Sequence, residues 1–116
     1  MKELHKKALK AYTEMLQIHI DTKTKDLLFH KETENFYEAL FEIAHKIGER
    51  YVDLDGEIID SSLSSKKKRA NEIIVNLKKE IEDYQANNEL TLGTDDLLGG
   101  LADDLEDMEG TSKAFL

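Results

Sequence analysis

Apolar residues recur at three- and four-residue steps along the first half of the chain, which is the pattern of helices with one buried face. The first predicted helix runs from Lys2 to Ile20. Its apolar positions are Leu4, Ala8, Ala11, Met15 and Ile18. Polar, threonine-rich residues 21–26 then predict a break, and a second helix follows from Leu27 to Val52. Its apolar positions are Tyr37, Leu40, Phe41, Ala44, Ile47 and Tyr51.

The second half of the chain predicts a loop and two more helices. The loop starts at Asp53, in the stretch DLDGEIIDSS, whose glycine and Asp/Ser cluster favour turns. A third helix from Ser62 to Asn88 follows. Its predicted buried positions are Ala70, Ile73, Ile74, Leu77, Ile81 and Tyr84. The fourth helix is predicted to be short, with Thr94 as its N-cap and Gly110 as its end. Its apolar positions are Leu97, Leu98, Leu101, Leu105 and Met108.

These elements predict an all-α protein. No strand pattern competes with the helices, and the chain contains no proline. Because the predicted connections are short, we expect an antiparallel four-helix bundle over residues 1–110, followed by a tail over residues 111–116. A chain of 116 residues fits one domain with a modest core, so contacts with partners are expected to matter for its stability.

Composition narrows the possible functions. The formal charge of -9 disfavours a large surface for nucleic acid. The absence of cysteine excludes a disulfide scaffold, a thiolate metal site and a cysteine nucleophile. No apolar run approaches the roughly 20 residues that a membrane span requires. No apolar signal-peptide core follows the start MKELHKKALK, so the expected location is the cytoplasm, away from membranes.

Histidine and glutamate residues share one side of the second predicted helix. Measured from His30 at about 100° per residue, Glu34 lies near 40°, His45 near 60° and Glu49 near 100°. This arc overlaps the apolar stripe around Tyr37, so it differs from a purely solvated face. Burying carboxylates is costly unless a cation or a donor meets them. Imidazole and carboxylate ligands suit iron, with manganese and zinc as alternatives.

The spacing along the helix predicts an oligomer if the metal interpretation holds. His30 and Glu34 lie about 22 Å along the axis from His45 and Glu49, at a rise of about 1.5 Å per residue. One metal site cannot include all four residues of one chain. Two half-sites that a symmetry-related copy completes would solve this problem, so we expect at least a dimer.

The stretch HIDTKTKDLLFHKETENFYEALFEIAHKIGER resembles the ferroxidase segment of Dps proteins, the miniferritins. His19 and His30 stand where that family has two histidines, Glu34 stands at its first acidic position, and the run from Ile47 to Arg50 resembles its I-A-E-R segment. The resemblance covers residues 15–52 and extends to short ferritin-like phage proteins of unknown function. Three features depart from the family: His45 occupies its usual aspartate position, Ile20 replaces a common tryptophan, and the chain is shorter.

The resemblance implies a ferritin-like bundle that oxidises Fe(II) with peroxide or dioxygen and stores ferric iron in a cage of identical subunits. It also implies a metal-ligand set drawn from two subunits. The first subunit would contribute His19, His30 and Glu34, and the partner would contribute His45 and Glu49.

Several simpler interpretations remain open at this stage. The two His–Glu couples could be surface pairs one helical turn apart. We interpret His5, which lies among lysines, as solvated, and the four tyrosines as packing residues. The basic run SSKKKR at residues 64–69 could contact DNA, although the net charge opposes it. The main alternative to an iron protein is a non-catalytic helical interaction module on a ferritin-like scaffold.

Overall fold

The described part of this computed structural model comprises residues 1–55 and 60–116, and it is helical with no strand. The elements are α1 (Lys2–Asp21), α2 (Leu27–Asp55), α3 (Asp60–Asn87) and α4 (Leu92–Lys113). The predicted all-α class with four helices is therefore confirmed. None of the described helices is both long enough and apolar enough to cross a membrane.

The first turn lies where the polar residues predict it. Thr22 follows the end of α1, and the side chain of Asp26 accepts a hydrogen bond from the backbone N–H of Phe29 at 3.0 Å. This bond satisfies one of the free N–H groups at the start of α2. The tight connection places His30, in the first turn of α2, beside His19 in the last turn of α1.

The predicted loop from Asp53 is wrong at its start, because α2 continues to Asp55. Residues 53–55 contain no glycine or proline, so nothing local ends the helix before Gly56. Residues 56–59 of the predicted loop lie outside the described residues. The third helix begins at Asp60 rather than near Ser62.

The fourth helix is longer than predicted, and both predicted ends are wrong. Its N-cap is Thr91, which has an extended backbone and accepts a hydrogen bond from the N–H of Thr94 at 3.3 Å. Thr94 is thus the residue that is capped. Gly110 lies inside the helix, which ends before Ala114, because the backbone stays right-handed there and no left-handed glycine cap forms.

The chain divides into two compact units, Met1–Glu57 and Ile58–Leu116. In the first unit α1 packs on α2, and in the second α3 packs on α4. Contacts in the first unit join His19 to His30 near the turn and Tyr12 to Phe41 further along, as in a helical hairpin. The division into a bundle of residues 1–110 and a tail of residues 111–116 remains a prediction.

The apolar core of the described residues is small. Ala44 and Leu105 are the only buried apolar side chains in residues 1–54 and 63–116. On α3, the predicted buried positions Ile73 and Leu77 are each 52% exposed. Two packed helices cannot enclose their apolar faces, so much apolar surface remains for further contacts.

Gly48 permits a close approach between α1 and α2. A Cβ atom at this position would lie 2.5 Å from Cε1 of His5, whereas one at Gly100 would meet nothing within 4 Å. We expect Gly48→Ala to be less favourable than Gly100→Ala by about 1 kcal/mol, because the His5 ring must move. Chemical denaturation measures both. The difference should vanish when His5 is also alanine, and an unchanged difference would contradict the contact.

Candidate metal centre

His19 and His30 form a stacked pair where α1 meets the start of α2. Their ring centroids are 3.8 Å apart, and the ring planes lie 17° from parallel. Nδ1 of His19 lies 2.7 Å from the backbone oxygen of His30, and Nδ1 of His30 is hydrogen-bonded to the backbone oxygen of His19. Each imidazole is therefore tied to the backbone of the other helix.

Thr33 contacts this pair and is fully buried, with 0% of its surface exposed. Its hydroxyl donates to the backbone oxygen of His30 at 2.7 Å. The same hydroxyl oxygen is 3.1 Å from Nδ1 of His19. Thr33 was not among the residues predicted for the site. Its signal is a small polar side chain one turn after His30 on the face that packs against α1.

Tyr37 extends the cluster along α2, with its ring edge-on to His19 at a centroid distance of 5.0 Å. Desolvation raises the pKa of the Tyr37 phenol above its ordinary 10.0, and the charges of Glu34 and then Glu38 raise it further. Glu34 itself is exposed. It lies one helical turn after His30, which puts it on the same side of α2.

We expect Tyr37 to ionise above pH 10. Because the folded protein favours the neutral phenol, its contribution to stability is present below pH 10 and is lost as the pH rises through the folded pKa. Glu34→Gln should lower this pKa more than Glu38→Gln, while desolvation keeps it above 10.0 in both variants. Phenolate absorbance, taken as the difference from Tyr37→Phe, measures the titration. An equal or larger shift with Glu38→Gln would contradict the assigned order.

His45 and Glu49 pair with each other one turn apart on α2. Their side chains are 54% and 70% exposed. They lie about 22 Å along the helix from His30 and Glu34. The five predicted ligands therefore do not converge within one chain. The structure brings His19 and His30 together and separately brings His45 to Glu49.

The prediction that His5 is solvated is wrong. Its ring is half-buried against Gly48, and its Nδ1 is buried without a hydrogen-bond partner among the described residues. His5 lines a cavity of about 440 Å³ together with His45 and Glu49. The physical reason is Gly48, whose missing side chain leaves room for an imidazole from α1. A glycine inside an apolar helical pattern is the signal that could have revealed this contact.

The two clusters differ in what they can do chemically. Both Nδ1 atoms of the histidine pair face backbone oxygens, which can only accept hydrogen bonds, so Nδ1 carries the proton and Nε2 has a free lone pair in the neutral ring. This arrangement is typical of metal-binding histidines, whose second nitrogen donates to a carbonyl. Within residues 1–55 and 60–116, however, no three His, Asp or Glu side chains form a group that could hold a metal ion.

Comparison with known proteins adds no family assignment. No protein-family model matches the chain, and no curated protein or solved structure matches it.

Proposed function

We propose that this chain is a ferritin-like protein of the Dps type, which binds Fe(II) and oxidises it at di-metal sites shared between two copies. Iron is the substrate, and peroxide or dioxygen accepts the electrons. The proposal includes storage of the ferric product in a homo-oligomer, and a cage is its largest form. It also includes the fold, in which the four helices would form one antiparallel bundle. The exposed apolar residues supply the surface that such a bundle would bury.

The observation that carries the proposal is the histidine pair. Two imidazoles are fixed by backbone oxygens, so their Nε2 atoms are available as ligands. A surface His–Glu pair does not need imidazoles that are fixed in this way. The donor set of imidazole and carboxylate suits iron, with manganese and zinc as competitors.

A second copy of the chain can complete each site. The midpoint between the two half-sites on α2 falls near residue 40, close to the edge-on contact of Tyr12 with Phe41 at 5.5 Å. A two-fold axis through this point would exchange the ends of the hairpin. His19, His30 and Glu34 of one copy would then meet His45 and Glu49 of the other.

Apolar surface lies where this contact would form. Leu9, Tyr12 and Phe41 line a cavity of about 260 Å³ together with His45, and Phe41 is 49% exposed. An isologous dimer needs such a patch at its axis, because the same residues meet themselves there.

Each protein group has a distinct role in the proposed reaction. The imidazoles bind Fe(II) through Nε2 and hold it at a fixed place. The carboxylates of Glu34 and Glu49 stabilise the additional positive charge as Fe(II) loses an electron to the oxidant. The exposed pair of His45 and Glu49 is free to reorient toward the partner's histidines.

Anaerobic titration with Fe(II), followed by addition of hydrogen peroxide or dioxygen, tests the proposal. We expect saturable Fe(II) binding and a ferric absorbance that rises faster than in protein-free buffer. Glu49→Ala should slow the rise, whereas Glu80→Ala on α3 should not. Absence of saturable binding, together with unchanged behaviour of Glu49→Ala, would contradict the proposal.

A non-catalytic interaction module is the second candidate. It is favoured by the exposure of His45 and Glu49, which are satisfied as a simple pair in one chain. This function predicts an oligomer or a complex whose mass and stability do not respond to metal. Native mass spectrometry with and without Fe(II) distinguishes the two candidates, because the iron protein should gain metal in discrete steps.

A further inference from the structure

We propose that Thr33 is a positioning residue, whose hydroxyl holds the ring of His19 with the proton on Nδ1 and the lone pair on Nε2. The consequence for Fe(II) rests on the proposed function. The protonation pattern of the two rings is independent of the proposed function, and it can be measured without iron.

The hydrogen bonds around Thr33 have only one consistent direction. The hydroxyl donates its single proton to the backbone oxygen of His30 at 2.7 Å. Its lone pair then faces Nδ1 of His19 at 3.1 Å. Nδ1 of His19 is also 2.7 Å from the backbone oxygen of His30. Since both neighbours act as acceptors, Nδ1 of His19 must be the donor.

The backbone of α1 imposes the same pattern on His30. Its Nδ1 is bonded to the backbone oxygen of His19, which can only accept. Thr33 fixes the position of the His30 backbone oxygen through its own hydrogen bond. Thr33 therefore acts on the ring of His19 in two ways, directly and through the backbone oxygen of His30. The ring of His30 is held by the backbone oxygen of His19.

Burial argues that Thr33 does more than fill space. It is completely enclosed, and alanine or valine would fill the same position without the cost of burying a hydroxyl. Thr13 shows the simpler behaviour, because its hydroxyl bonds only the backbone oxygen four residues earlier in its own helix. Thr33 instead bonds the oxygen three residues earlier and also contacts the imidazole from α1.

The decisive variants are Thr33→Val, which keeps the shape but removes the hydroxyl, and Thr33→Ser, which keeps the hydroxyl. Thr13→Val is the matched control, since it removes a hydroxyl that bonds only its own helix. Nitrogen-15 NMR of the imidazoles reports which nitrogen carries the proton. Anaerobic Fe(II) titration of the same samples reports affinity, and circular dichroism checks that each variant is helical.

We expect the wild type and Thr33→Ser to carry the proton on Nδ1 of both rings. In Thr33→Val, Nδ1 of His19 loses one of its two acceptors and the hydroxyl that positions the other, so a fraction of His19 should adopt the other tautomer. The affinity for Fe(II) should then fall about 10- to 100-fold, as for losses of groups that orient metal ligands. Thr13→Val should match the wild type in both measurements.

Two results would overturn the inference. One is a wild type with the proton on Nε2 of His19, which needs no variant to detect. The other is a folded Thr33→Val that keeps both the tautomer and the affinity. If the tautomer shifts in Thr33→Val but the wild type itself binds no Fe(II), the role of Thr33 is supported and the proposed function fails.

Discussion

A His30→Ala variant is expected to oxidise Fe(II) at least about 100-fold more slowly than the wild type, because loss of a ligand should cost at least as much as loss of a group that orients one. The change removes one imidazole of the stacked pair and the hydrogen bond from its Nδ1 to α1. Stopped-flow absorbance of the ferric product, at equal concentrations of folded protein, measures the rate.

The control for this variant is Glu32→Ala, an exposed residue in the same turn region of α2. It should keep the wild-type rate, because it lies on the opposite side of the helix from the histidine pair. A His30→Ala protein that is folded and as fast as the wild type would remove His30 from the site.

Phe41→Asp is expected to dissociate the proposed dimer. Phe41 is 49% exposed in the single chain and lies beside Tyr12 at the proposed two-fold axis. The substitution would bury two carboxylates close together at the axis of each dimer, one from each copy. We expect a cost of about 3 kcal/mol or more, which corresponds to roughly a 100-fold weaker dimer. Sedimentation velocity over a range of concentrations measures the change.

Lys46→Glu is the control for Phe41→Asp, because it also adds negative charge to α2 but lies far from the proposed axis around the helix. It should leave the dimer intact. Circular dichroism must show that both variants remain helical. A helical Phe41→Asp protein that still forms the wild-type oligomer would place the interface elsewhere.

Local patterns predicted the helices well where the signal itself is local. The apolar spacing of α1 and the polar residues 21–26 placed the first turn, because turn chemistry and amphipathicity act over a few residues. The start of α4 was predicted wrongly, although its signal is also local. Thr91 and Thr94 both suit an N-cap by residue type, and only the backbone angles distinguish them.

Contacts between helices were harder to predict from the sequence than the helices themselves. The arc that contains His30 and His45 followed from helical geometry, but the stacking of His30 on His19 required the two helices to be packed. The contact of His5 with Gly48 joins residues from distant parts of the chain. The glycine inside the pattern of α2 could signal a close approach there, but it could not identify His5 as the partner. The completion of either half-site depends on a second chain, which no pattern within one chain determines.

The most direct test of shared sites is complementation between two inactive variants. Homodimers of His30→Ala and of Glu49→Ala each lack a ligand in every site. In a mixed dimer, one site lacks both His30 and Glu49, and the other site retains both. After co-refolding of equal amounts, random pairing should restore about a quarter of the wild-type rate of Fe(II) oxidation, because half of the dimers are mixed and each has one intact site. A mixture as inactive as its components, with mixed dimers detected by native mass spectrometry, would contradict a site built from two chains.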